Sequence, residues 1–158
     1  IKHYRNQGYT PVQPPAWMAF EVASFGTLSS LYKNLKKSHQ KREIARFFKL
    51  PQETVLENWA YNFTIIRNIA AHHARLWNRH LPGKFWEPKR AQSLFPDCTK
   101  TTDYEMYRPL SALVYCMNHL TPHSSFKQKV KMLVLNCPLN QSHQMGFPAG
   151  WENDPFWQ

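Results

Sequence analysis

An apolar repeat close to 3.6 residues runs from Pro51 to about Asn78 and is cut off by Pro82-Gly83. Only a long helix with one buried side uses such a repeat, so the remaining elements must pack around it. Pro51 suits a helix start, and Glu53 and Glu57 suit the positive end of the helix dipole. The chain shows no two-residue alternation of the kind a half-buried strand needs. The fold class that follows is all-α, a helical bundle.

Shorter segments flank this rod. Residues 1–15 are polar, end in Pro14-Pro15 and read as an N-terminal arm. A helix is expected from about Ala16 to Asn34. At about 100° per residue, its Trp17, Met18, Phe25, Leu28 and Tyr32 share one arc, and Glu21 falls among them, where a carboxylate needs a partner. A short second helix follows, with Ser38 as N-cap and Ile44, Phe47 and Phe48 as its buried side. A basic series accompanies it: Lys33, Lys36, Lys37, Lys41, Arg42, Arg46 and Lys49, broken by Glu43. Such runs are most often solvated faces; beside an active helix they become candidate nucleic-acid contacts. Residues 82–101, with Pro88 and Pro96, read as a long irregular connection. Another helix begins near Thr102-Asp103, has Pro109 in its first turns, carries Met106, Leu110, Leu113, Val114 and Met117, and ends at Pro122. Ser124 or Ser125 caps the next, which runs through Val130, Leu133 and Val134. The tail, 137–158, holds Phe147, Trp151, Phe156 and Trp157 and is expected to pack on the bundle.

Composition bounds size and partners. With 158 residues, 42% hydrophobic and 15% aromatic, the chain supports one core, so 1–158 is expected to form a single helical domain. Lys and Arg number 20 against 10 Asp and Glu, a formal charge of +10 that favours phosphate-rich partners or an anionic membrane surface. No apolar run approaches the roughly 20 residues that span a bilayer, and no signal segment opens the chain, so no membrane is expected and the cytoplasm is the expected setting. Cys98, Cys116 and Cys137 are odd in number and lack C-x-x-C spacing, which suggests neither a disulfide framework nor a zinc ribbon. Metal and cofactor chemistry has little support. There is no H-E-x-x-H, His72 and His73 point apart on a helix, and His119 and His123 straddle Pro122. Cys116 lies on an apolar helical face, where thiols are usually inert. The chain opens on Ile1 and not Met, so part of a longer protein is expected.

On the wheel of the central helix, Ile65, Ile66, Ile69, Ala70, Ala74, Leu76 and Trp77 make an apolar arc of about 180°. His73 falls inside it and is expected to be structural, with Glu21 as its partner and Arg67 as a rival claimant for that carboxylate. Arg67, Asn68, His72, Arg75 and Arg79 share the polar arc with Asn78 and Ala71. These residue types suit metal-free RNA cleavage. Attack of a ribose 2′-OH on its own phosphate needs proton transfers near neutral pH, and imidazole serves both directions. The phosphorane gathers negative charge that a guanidinium fork can neutralise. His72 is therefore expected to move protons, Arg67 to hold phosphate and Asn68 to position them. Arg67 and His72 stand about 140° apart, a gap that Arg67's length, the small Ala71, or a second copy across a two-fold axis would close.

The run Ile66-Arg67-Asn68-Ile69-Ala70-Ala71-His72-His73-Ala74-Arg75-Leu76-Trp77-Asn78-Arg79 resembles the signature of the Abi-like proteins, the AbiD/AbiF type of bacterial abortive-infection protein, within the HEPN superfamily. Pro14-Pro15-Ala16-Trp17-Met18, Glu21, Ser24-Phe25-Gly26-Thr27-Leu28-Ser29, Tyr32 and Leu35 resemble that family's preceding helix. Met145-Gly146-Phe147-Pro148 with Trp151 resembles its C-terminal end. The resemblance implies a HEPN-like bundle and a metal-independent endoribonuclease of an antiphage or toxin-type system, with Arg67, Asn68 and His72 in the active motif. It also implies a homodimer, an RNA or protein antitoxin, and further helices before residue 1, so that this chain is the C-terminal part. RNA contacts would come from Arg75, Arg79, Lys36, Lys37, Lys41 and Arg42. The alternative is a non-catalytic RNA-binding or protein-interaction module built on the same basic surface.

Overall fold

The computed structural model describes residues 2–8, 13, 15–36, 39–89, 94–137 and 142–158. Its helices are α1 (Lys2–Asn6), α2 (Ala16–Val22), α3 (Phe25–Asn34), α4 (His39–Phe47), α5 (Glu53–Ala71), α6 (Tyr107–Leu120) and α7 (Phe126–Leu135), with no strand among the described residues. The all-α expectation holds. The rod is α5, with α3, α4 and α6 against it and α7 against α6. No helix is long and apolar enough to cross a membrane.

One cluster of buried residues runs from Ala45 and Val55 through Trp59 and Tyr115 to Phe147, Trp151 and Trp157. Trp59 on α5 is its centre, wholly buried, stacked on Phe95 and edge-on to Tyr115, each with centroids 5.6 Å apart. Its indole Nε1 donates to the carbonyl of Trp86 at 2.7 Å. The irregular connection is thus part of the core wall, with Phe85, Pro88, Phe95 and Cys98 buried. A buried segment without helical bonding must place its backbone polar groups elsewhere, and two asparagines of α5 take them. Asn58 Nδ2 donates to Lys84 O at 2.9 Å and its Oδ1 accepts from Trp86 N at 3.0 Å. Asn62 Nδ2 reaches the same Lys84 O at 3.2 Å. Gly83 is required for this approach, because a Cβ there would stand 1.8 Å from Asn62 Oδ1.

Residues 142–158 pack on α6 and α7. Phe147 meets Tyr107 of α6 edge-on at 5.0 Å, and Trp151 meets Trp157 at 5.0 Å. Lys131 of α7 donates to the carbonyls of Glu152 and Trp157 at 2.9 and 3.1 Å. Short 3₁₀ turns at Ser142–Met145 and Trp151–Asn153 complete it.

Several boundaries differ from expectation. The helix expected over 16–34 is two, because Ala23 is extended and Ser24 caps a fresh start, its Oγ accepting from Thr27 N at 3.1 Å. No arc therefore runs from Trp17 to Tyr32, and α2 buries no residue. Residues 2–6 of the expected arm form α1. On α4 the buried side is Lys41 and Ala45, while Ile44 and Phe47 are exposed and Phe48 is half-buried. Ser38 lies outside the described residues. Helix α6 starts at Tyr107, not Thr102, which puts Pro109 third in the helix, where its missing N–H has no intrahelical acceptor to disappoint.

Candidate functional site

The last turn of α5 holds Arg67 and Asn68, with His72 as its C-cap, and α5 stops sooner than the apolar repeat implies. It ends at Ala71, with His72 as C-cap at φ −91°, ψ 17° and its backbone N–H on Asn68 O at 3.0 Å. His73 turns left-handed, at φ 54°. The N–H of His73 reaches Ala70 O and that of Ala74 reaches Ile69 O, each at 3.0 Å. Those paired bonds are a Schellman closure, with histidine at the position that usually takes glycine. Beyond it the chain runs in turns, and Asn78 is left-handed too, at φ 45°.

This closure corrects the expectation for His73. A helical wheel has no meaning past a left-handed residue, so His73 does not enter the apolar arc; it is exposed. Glu21 is exposed as well, on α2, and makes no ion pair with His73 or Arg67. The carboxylate needs no partner because the arc that would have buried it is broken at Ser24.

Arg67, Asn68 and His72 do fall together on the closing turn, all three exposed. The guanidinium of Arg67 donates through Nη1 to Asn68 Oδ1 at 3.1 Å, which orients the fork and leaves its other N–H groups to a ligand. Helical geometry puts Arg67 and His72 about 7.5 Å apart along the axis and about 140° around it. No hydrogen bond joins the His72 ring to either neighbour among the described residues. Ala70, Ala71 and Ala74 are exposed beside them, so the corner is open. It presents a guanidinium with N–H groups that could meet an anion and an imidazole that could exchange a proton.

The basic residues separate by burial. Lys36 and Arg42 are exposed near the α3–α4 corner; Arg75 and Arg79 are exposed past the end of α5, with Arg79 Nη1 on Arg75 O at 3.4 Å. Lys37 lies outside the described residues. Lys41 is not an RNA contact, being 2% exposed. Its ammonium donates to the end carbonyls of α3, Lys33 O at 2.9 Å and Leu35 O at 3.2 Å, and pairs with Glu57 of α5 at 2.6 Å. It ties three helices together. Lys41, Ala45 and Phe48 recur at helical spacing, a pattern that would have flagged the lysine had a charge been admitted to the apolar side.

A second polar group escaped sequence reasoning: Lys84, Glu87, Asp103 and Arg108 form one ion-pair network beside the exposed Trp86. Its signal was the interleaving of basic and aromatic residues in Lys84-Phe85-Trp86-Glu87-Pro88-Lys89. Among the described residues no three His, Cys, Asp or Glu side chains are grouped to hold a metal ion.

A family model described as Abi-like protein matches residues 1–78, a segment that ends just past this corner. No curated protein and no solved structure matches the chain.

Proposed function

Through residues 1–78 the chain belongs to the Abi-like family, proteins of the abortive-infection type, and from that premise we propose that it is a metal-independent endoribonuclease of an antiphage or toxin-type system. Arg67 binds the scissile phosphate, His72 moves the protons, and Asn68 holds the guanidinium in place. The observation that carries the reading is the closing turn of α5, where these three side chains are exposed together and Arg67 is already fixed by Asn68 at 3.1 Å. Exposed Arg75, Arg79, Lys36 and Arg42 supply the sequence-independent attraction for RNA that a net charge of +10 implies.

One copy presents one imidazole, and cleavage by 2′-OH attack uses both a base and an acid. A homodimer that brings two closing turns to one cleft provides both, and closes the gap between Arg67 and His72. The protein acts in the cytoplasm, restrained by an RNA or protein antitoxin, within the HEPN superfamily. The test is cleavage of a structured RNA in excess EDTA. Activity that survives the chelator and drops at least about 100-fold in both Arg67→Ala and His72→Ala supports the enzyme. RNA binding without cleavage by the full protein would sink it in favour of a binding module.

A further inference from the structure

A cleft of about 670 Å³ opens at the opposite end of α5, between its first turn, residues 84–89 with Asp103, and α6. Its walls include Gln52, Lys84, Trp86, Glu87, Lys89 and Arg108. We infer that it is a nucleotide site, which stacks one unpaired base on Trp86 and holds its phosphate with Lys89 and Lys84. The volume is within the roughly 300–1,000 Å³ typical of small-ligand sites.

Arg108 is the scaffold and not the ligand's partner. It is 8% exposed and held on every nitrogen. Nε donates to Thr101 Oγ1 at 3.0 Å and Nη2 to Cys98 O and Thr101 O at 3.0 and 3.4 Å, while Nη1 forms ion pairs with Glu87 Oε1 at 2.5 Å and Asp103 Oδ1 at 2.9 Å. Asp103 in turn pairs through Oδ2 with Lys84 at 2.5 Å. The two carboxylates are therefore neutralised by two cations, and exposed Lys89, with no ion pair among the described residues, leaves the cleft positive. That surplus selects an anion.

Trp86 selects its aromatic part. Trp86 is 46% exposed while its backbone is clamped on both sides by Asn58 Oδ1 and the Trp59 indole. A large apolar ring with only two side-chain torsions, on a fixed backbone at a cleft mouth, loses little entropy when a base stacks on it. Gln52 caps α5 without using its side chain on the helix, so its carboxamide has a donor and an acceptor for a base edge. Glu87 has one oxygen on Arg108 and a second that can accept from a ribose hydroxyl. Gln52 is about 30 Å along α5 from His72. The inference is consequently independent of catalysis at the other end.

The base and phosphate can belong to a free mononucleotide or to one nucleotide of a single strand. Calorimetric titration of the full chain with AMP, adenosine and a ten-residue oligoadenylate separates them. The expected result is saturable AMP binding, weaker for adenosine. Trp86→Ala and Lys89→Ala should each weaken it at least about tenfold, with little change in Trp86→Phe or in Lys129→Ala, an exposed lysine outside the cleft. Trp86 makes its framework bonds through its backbone and Lys89 is exposed, so both variants keep the fold. An oligonucleotide far tighter than AMP, with the excess lost in Trp86→Ala, identifies the strand as the source; equal affinities identify the free nucleotide. No AMP binding together with oligonucleotide binding indifferent to Trp86→Ala and Lys89→Ala overturns the inference.

Discussion

At the scale of single residues, burial and backbone conformation decide what a side chain is for. Lys41 sits in a run of cations that reads as a surface, yet its ammonium is buried against two carbonyls and a carboxylate. Removing one partner of a buried pair strands the other, so Lys41→Ala should cost about 2–4 kcal/mol in urea unfolding, whereas Arg42→Ala should cost under about 0.5 kcal/mol. Equal effects would show that Lys41 is solvated. The left-handed turn at His73 gives a prediction of opposite sign. His73→Gly removes a strained conformation and should stabilise by about 0.5–1 kcal/mol, the relief slightly exceeding glycine's extra chain entropy. A histidine packed in a core would give a large loss instead. Arg67, Asn68 and His72 were legible as a polar group because the helical period holds through His72; the fate of His73 was not, because a Schellman closure by histidine carries no glycine to announce it.

At the scale of elements, the sequence marked where apolar stripes lie more reliably than where backbones turn. The stripe of α5 was readable from period and composition, but the irregular stretch is longer at both ends than 82–101, because α5 closes at Ala71 and α6 starts only at Tyr107. The break at Ser24 was not, since Ala23-Ser24-Phe25-Gly26 contains no proline and the apolar arc continues across it by coincidence. Nor does composition reveal that Asn58 and Asn62 hold the connection to α5, because polar residues on a buried helix side look like interruptions until their partners are known. The contact between Gly83 and Asn62 tests that attachment. Gly83→Ala forces Asn62 off Lys84 O and should destabilise by about 1–3 kcal/mol; in an Asn62→Ala background the same change should cost under about half as much. Strict additivity in the double-mutant cycle would refute the contact.

At the scale of the whole molecule, several buried acids titrate together. Burial pushes the thiols of Cys98 and Cys116 up to about 12 from 9.0. Burial likewise raises the phenols of Tyr115 and, with help from Glu57 and Glu53, Tyr32 to about 12 from 10.0. Their folded pKa values exceed the unfolded ones, so their stabilisation is complete below about pH 9 and is lost as pH rises toward 12. The melting temperature should hold from pH 7 to 8.5 and fall by several degrees by pH 10.5, measured by circular dichroism; a flat profile contradicts the burial. The composite-site reading has its own whole-molecule test. If one cleft uses the His72 of both copies, co-refolding equal amounts of wild-type and His72→Ala chains should leave about a quarter of wild-type cleavage, because only dimers of two wild-type chains keep both imidazoles. Retention of about half would show that each copy's His72 works on its own. The burial of Trp59 has a last consequence, for how the chain folds as it is made. The family model matches residues 1–78, but the cover over Trp59 comes from Trp86, Phe95 and Tyr115 beyond them. During synthesis α5 must wait, its largest apolar side unprotected, until α6 has emerged. A fragment ending at residue 78 should be aggregation-prone and chaperone-bound rather than a smaller version of the protein.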